Sequence, residues 1–70
     1  MTLIEDEVAA RTEHLAPEAG LRAVAALRRL VERLETHHVR AARDAGWSWS
    51  DIATALGVTK QTVHRKHRRT

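Results

Sequence analysis

Residues 49–68, WSDIATALGVTKQTVHRKHR, carry the pattern that decides the fold. Ser48 and Thr59 each stand just before an apolar-periodic segment, where their hydroxyl groups are suited to cap a helix start. Gly57 follows the first segment and tolerates the left-handed backbone that ends a helix. The spacing predicts two short helices, at about 49–56 and 60–68, joined by a turn of three residues.

Small and apolar residues occupy the positions where these two helices would cross. Ala53 is small enough for a close approach, and Ile52 and Leu56 are predicted to face inward beside it. Val58 is predicted to fill the corner, and Val63 to anchor the second helix at mid-length. Together these positions predict a helix-turn-helix.

The segment IATALGVTKQTV in Ile52–Val63 closely resembles the helix-turn-helix of bacterial transcription regulators, in their homeodomain-like, three-helix group. Abundant Ala, Leu, Arg and Glu with one proline and three glycines predict an all-α fold. The resemblance implies that the end of a preceding long helix completes a three-helix DNA-binding unit, and we expect no wing. It also implies that the last helix enters the major groove. The family usually has an apolar residue where this chain has Lys66, so we expect the end of that helix to be frayed without DNA.

An N-terminal helix is predicted before this unit. Thr2 and Glu5 fit a capping box, which satisfies otherwise unpaired amides at a helix start. Apolar residues then recur at helical spacing, which predicts a helix at about 3–15; they are Ile4, Val8 and Leu15.

A long central helix is predicted next. Pro17 can open it, because a missing amide donor costs nothing in a first turn. The pattern runs to Ala45, and Gly46 then provides a stop. A helix of this length would span about 43 Å. One compact chain of 70 residues cannot cover it, so we expect part of it to face another chain.

The apolar residues of this long helix suggest a second copy as the partner. They cover an arc of about 180°, whereas a surface helix needs about 100°. The whole chain has few large apolar side chains, because 12 of its apolar residues are alanine. We therefore expect residues 1–34 to form a homodimer and residues 35–70 to bind DNA. The predicted dimer-interface residues are Ile4, Val8, Leu21, Val24, Leu27 and Val31.

The charge is divided unevenly along the chain. Residues 1–35 hold five arginines and seven acidic residues, a net charge of −2. Residues 36–70 hold seven lysines and arginines and two acidic residues, a net charge of +5. A basic half of this kind favours a polyanionic partner such as double-stranded DNA.

Helical-wheel positions divide the basic half between two kinds of DNA contact. Gln61, Arg65 and Arg68 project within an arc of about 60°, and these residue types pair with adenine and guanine. The predicted base-contacting residues are Thr59, Lys60, Gln61, His64, Arg65 and Arg68, of which Lys60 is also suited to a phosphate. The predicted phosphate-contacting residues, which would set affinity and register, are Arg40, Arg43, Ser48, Trp49, Ser50, Thr62 and Arg69.

The five histidines do not form a pattern typical of a metal site. A zinc site needs three or four converging ligands, and His64 and His67 lie among arginines, which repel a cation. Both are predicted to contact phosphates or bases instead. His38 lies on the apolar arc, where burial in the neutral form is expected; a pH-sensitive dimer interface is the alternative.

Several other classes of protein are not favoured. The chain has no cysteine for disulfides or thiolate zinc sites and no run of eighteen apolar residues, and we expect no secretory leader. It also lacks a nucleophile–base pairing and a glycine-rich phosphate loop. We therefore expect no catalytic residues, no metal, no cofactor and no membrane contact, in a bacterial protein of the cytoplasm and nucleoid.

These features favour a small dimeric transcription regulator that binds a specific DNA sequence. Its two half-sites would lie about 34 Å apart, or a multiple of that distance. One alternative is a helical adaptor that docks on another protein, such as a component of the transcription machinery. Another is a nucleoid-associated protein with nonspecific DNA contact. The role of Trp49 stays open between packing and contact with the DNA backbone.

Overall fold

The fold consists of α-helices. The computed structural model describes residues 2–68, with side chains from Ile4 onward. It contains α1 (Thr2–Thr12), α2 (Pro17–Asp44), α3 (Trp49–Leu56) and α4 (Lys60–His67), and no strand within the described residues. The predicted all-α fold is confirmed. The chain divides into two compact units, Met1–Val31 and Glu32–Thr70.

The first unit holds α1 and the beginning of α2. α1 ends at Thr12, three residues before the predicted end, because the chain tightens into a turn ahead of Pro17. The Leu15 amide donates to the Thr12 carbonyl at 3.0 Å, and the Thr12 hydroxyl donates to the Val8 carbonyl at 3.1 Å. The predicted capping box depends on the side chain of Thr2, which lies outside the described side chains.

The helix ends of the second unit follow the predicted caps. Ser48 Oγ and Thr59 Oγ1 each accept a hydrogen bond from the amide three residues later, at 3.0 and 3.2 Å. Gly46 and Gly57 have φ angles of 89° and 75°, the left-handed backbone that ends a helix. α3 has its predicted bounds, whereas α2 and α4 each end one residue early.

A small apolar core holds the second unit together. The buried Ala53 has no bulk beyond Cβ and so allows the close helix approach that the sequence predicts. α2 contributes Val39 to this core, whereas the neighbouring His38 is exposed, so its predicted burial is wrong. The buried core residues are Val39, Ile52, Ala53 and Val63, with Ala42 and Trp49 packed against them.

Two apolar residues near the turn, one predicted to face inward and the other to fill the corner, are instead on the surface. Leu56 is 40% exposed and Val58 is 44% exposed, so their predicted inward orientation is wrong. The main chain closes this corner: the Gly57 amide donates to the Thr54 carbonyl at 3.2 Å, and the Val58 amide donates to the Ala53 carbonyl at 3.0 Å. This pair of bonds is the Schellman motif, which ends α3 without a buried side chain at the corner.

Truncation of Val63 should destabilise the second unit far more than truncation of Val58. Val63 is 1% exposed, so Val63→Ala leaves a cavity and should cost about 2 kcal/mol. Val58→Ala removes the same atoms from a surface site and should cost less than about 0.5 kcal/mol. Urea unfolding followed by tryptophan fluorescence reports on this unit, since it contains both tryptophans. Equal losses for the two variants would contradict this account of the core.

Candidate nucleic-acid interface

α4 has one buried face and one basic exposed face. Val63 and His67 are buried, and they lie four residues apart on the same side of the helix. The remaining described residues of α4 are exposed, and none of them is acidic. The exposed set includes all the described residues predicted to contact bases, namely Thr59 at the N-cap and Lys60, Gln61, His64, Arg65 and Arg68. The structure therefore leaves this set available to a ligand.

A stack of three side chains brings together predicted DNA contacts from three helices. The Arg43 guanidinium carbon lies 4.6 Å from the centroid of the Trp49 ring. The Trp49 and His64 rings have centroids 5.2 Å apart and meet edge to face at 67°. Arg43 also donates from Nη1 to the Trp47 carbonyl at 2.9 Å, which restrains its guanidinium. Trp49 therefore packs on the core and also orders the basic side chains on either side of it.

The start of α3 offers polar groups suited to an anion. Its first amides, those of Trp49 and Ser50, precede the first intrahelical bond, in which the Ile52 amide donates to the Ser48 carbonyl at 3.1 Å. Ser48 and Ser50 are exposed. Backbone amides in this position favour phosphate oxygens.

The remaining predicted phosphate contacts are more dispersed. Arg40 lies exposed on α2, three residues before Arg43. Thr62 is exposed at the start of α4, where its hydroxyl lies 2.7 Å from that of Thr59. Arg69 lies outside the described residues. The described part of this set thus comes from α2 and from the N-terminal ends of α3 and α4.

The predicted dimer-interface residues all belong to the first unit. Val8 and Leu27 are partly buried within it. The other four side chains of the set are exposed: Ile4, Leu21, Val24 and Val31.

Sequence reasoning missed a polar contact that holds the end of α4. His67 is 2% exposed, and its Nε2 lies 2.5 Å from Glu35 Oε2 on α2. Lys66 Nζ lies 3.0 Å from the same oxygen. The predicted contact of His67 with DNA is therefore wrong. The end of this helix, which the sequence predicts to be frayed without DNA, is helical as far as His67 and contacts Glu35 there. Spacing gave a signal, because His67 follows Val63 by four residues and so shares its inward face.

The charge state of Glu35 fixes the direction of this hydrogen bond. Burial by itself raises the pKa of Glu35, but hydrogen bonds from His67 and Lys66 and their positive charges outweigh it, and the net pKa lies below the ordinary value. Glu35 is therefore ionised at neutral pH and can only accept hydrogen bonds. His67 Nε2 consequently carries the proton and donates it to Glu35.

Comparison with known proteins gives one family match. A family model described as a homeodomain-like domain matches residues 27–70, which is more than half of the chain and includes all of the second unit. No curated protein and no solved structure matches the chain significantly. Within residues 2–68, no helix is long and apolar enough to cross a membrane.

Replacement of Glu35 should make the fold less sensitive to acid. The pKa of Glu35 is lowered from 4.5 in the folded chain, so the carboxylate stabilises the fold above that pH, and this stabilisation is lost as the pH falls through the lowered value. Urea unfolding at about pH 6 and about pH 3 should therefore differ less for Glu35→Gln than for the wild type. Glu32→Gln, which removes an exposed carboxylate from the same helix, should keep the wild-type difference. The same pH difference in all three proteins would contradict the assignment.

Proposed function

This chain belongs to the homeodomain-like domain family, and we propose that it binds a specific sequence in double-stranded DNA by placing α4 in the major groove. Helix-turn-helix domains of this kind bind DNA, and their second helix lies in the major groove with its side chains at base edges. The observation that carries the proposal is the division of α4 into a buried face around Val63 and an exposed basic face.

The exposed face of α4 has the chemistry needed to distinguish bases. An arginine guanidinium donates two parallel hydrogen bonds to guanine, and a glutamine amide pairs in the same way with adenine. Gln61, Arg65 and Arg68 supply these groups on one side of the helix. Thr59 and His64 border them and extend the proposed base-contacting set toward the helix start. Lys60, which the sequence also suits to a base, is assigned here to a phosphate.

Positive charge and amide donors around this face are suited to the DNA backbone. Arg43 and Trp49 in the stack, and Ser48 and Ser50 at the start of α3, would contact phosphates, as would Arg40, Thr62 and Arg69. Such contacts set register and affinity without reporting sequence. The net charge of +5 in residues 36–70 supports this assignment.

We also propose that the protein acts as a homodimeric transcription regulator. Val24, Leu27 and Val31 recur on α2 with alternating spacings of three and four residues. Valine and leucine in those alternating positions favour a two-stranded coiled coil. Leu21 is 72% exposed and Val31 is 60% exposed, so a second copy has apolar surface to cover. Two copies would contact two half-sites of one operator.

Removal of Arg65 should relax sequence preference, whereas removal of Lys60 should weaken binding to every duplex alike. The probes are a duplex selected from a random-sequence library and a scrambled version of it, compared by fluorescence anisotropy over a series of salt concentrations. Arg65→Ala should weaken binding to the selected duplex about tenfold. It should also lower the ratio of the affinity for the selected duplex to that for the scrambled one. Lys60→Ala should reduce the slope of log affinity against log salt by about one.

Arg33→Ala is the matched control, because it removes the same charge from an exposed site on α2 outside the proposed interface. It should leave the ratio of the two affinities unchanged. If the selection yields no preferred sequence, or if all three variants lose affinity equally on both duplexes, the protein binds DNA nonspecifically, as a nucleoid-associated protein would.

Polar substitution on the first half of α2 should weaken the dimer. The double variant Leu21→Gln/Val31→Gln removes two exposed apolar side chains from the proposed interface and should raise the dimer dissociation constant at least about tenfold in sedimentation equilibrium. Leu56→Gln/Val58→Gln changes the same two residue types at exposed sites outside it, and should leave the constant unchanged. A monomeric wild type, or equal effects of both double variants, would rule out this interface.

A further inference from the structure

We propose that Glu35 and His67 are positioning residues, whose hydrogen bond sets the orientation of α4 on α2 and thereby the sequence discrimination of its exposed face. This inference rests on the proposed function, in which α4 contacts base edges. The polar anchor, defined as Glu35, Lys66 and His67, lies entirely within the second unit.

The two buried side chains of α4 hold it at different points along its axis. Val63 contacts the apolar core at the middle of the helix, and His67 lies buried in its last turn, about 6 Å farther along the axis. Val63 and the His64 ring on Trp49 are adjacent positions at the middle of the helix, so without His67 α4 would be held against the other helices at one level only. A second fixed point one turn later determines the direction of the axis.

The chemistry of the second contact makes it directional. Apolar burial has no preferred angle, so a leucine in place of His67 would allow the helix to slide or tilt. A hydrogen bond to a carboxylate constrains both distance and angle, and a charged acceptor strengthens it. Each described buried polar side-chain atom has a hydrogen-bond partner, as expected of a polar contact that stabilises one geometry.

Lys66 adds a constraint on rotation. Lys66 and His67 are neighbours on α4 and project about 100° apart, yet both contact Glu35 Oε2. One oxygen held between two diverging side chains resists rotation of α4 about its own axis. The polar anchor therefore fixes both the tilt and the rotation of the helix.

The base-contacting side chains are sensitive to both movements. Arg68 lies five residues beyond Val63, about 7.5 Å along the axis, so a tilt of about 10° would displace its backbone by about 1 Å. Bidentate pairing of arginine with guanine needs two parallel hydrogen bonds, so a displacement of that size should weaken it. Arg65, on the same face, would turn away from its base if the helix rotated.

Net charge cannot explain the presence of Glu35 in this unit. A carboxylate near a DNA-binding surface repels phosphates, so its removal should strengthen binding to any duplex. A positioning role predicts the opposite for a specific duplex. The two explanations therefore differ in sign.

The test compares Glu35→Gln with Glu32→Gln, which makes the same change of charge at an exposed site on α2. Affinities for a selected and a scrambled duplex are measured at one salt concentration, and circular dichroism confirms that each variant is folded. Glu32→Gln should keep the ratio of the two affinities within about twofold of the wild type, whereas Glu35→Gln should lower it about tenfold. His67→Ala should lower the ratio as much or more, and His67→Gln, which retains an N–H donor, should recover part of it.

A purely structural role predicts a different result. Partial unfolding reduces binding to both duplexes by the same factor and leaves their ratio unchanged. A ratio in Glu35→Gln equal to that in Glu32→Gln would therefore overturn the positioning role, and so would recovery by His67→Gln no greater than that by His67→Ala.

Failure of the polar anchor can be distinguished from failure of sequence-specific binding. A wild type that does not discriminate between duplexes refutes sequence-specific binding, and with it the effect on discrimination. Amide hydrogen exchange in α4 then tests the anchor directly. Faster exchange in the last turn of α4 in Glu35→Gln than in Glu32→Gln supports the anchor, and equal exchange overturns it.

Discussion

The second unit depends on one cluster of buried apolar side chains, to which α2, α3 and α4 each contribute. Val39, Ile52, Ala53 and Val63 are its buried members, and Ala53 leaves room for the helices to approach closely. Because the cluster is so small, each helix has few apolar contacts to fix its orientation. Polar contacts between helices are therefore especially important here for fixing how the helices are oriented. The bond between Glu35 and His67 is one such contact, and the stack of Arg43, Trp49 and His64 is another.

The features that sequence predicted best are those that depend on neighbouring residues. Ser48 and Thr59 cap α3 and α4 as predicted, and Gly57 has the predicted left-handed backbone, because each interaction closes within a few residues. The end of α1 was predicted too late, since a turn at Thr12 ends the helix before Pro17 restricts it. On α2 the choice between two adjacent residues was also wrong, because Val39 is buried and His38 is exposed. A broad apolar arc cannot show which of two adjacent residues meets the core, because that choice depends on where α3 and α4 pack.

In the candidate site, too, local features were predicted better than contacts between distant residues. The exposed face of α4 was predictable, because the anchor at Val63 determines which side of a short helix points away. The burial of His67 was not predicted, because a histidine among arginines is typical of a nucleic-acid contact. Its partner Glu35 lies 32 residues away in the chain. The spacing of both partners nevertheless indicated that they lie on buried faces. Glu35 precedes Val39 by four residues and His67 follows Val63 by four, so each polar residue extends a buried face by one turn.

Two histidines one turn apart on α4 thus have different environments. His64 is exposed, and its ring meets that of Trp49 edge to face; the Trp49 ring also lies beside Arg43 near the end of α2. His67 is buried and donates to Glu35, eight residues before Arg43 and about 12 Å away along α2. α4 is therefore connected to α2 at two separated points, once through an aromatic ring and once through a carboxylate. Positive charge alone would give this surface affinity for any duplex, since phosphates are the same in every sequence. Discrimination between sequences requires a helix held at a fixed angle, and in a core of this size the side chains that hold it must include polar ones.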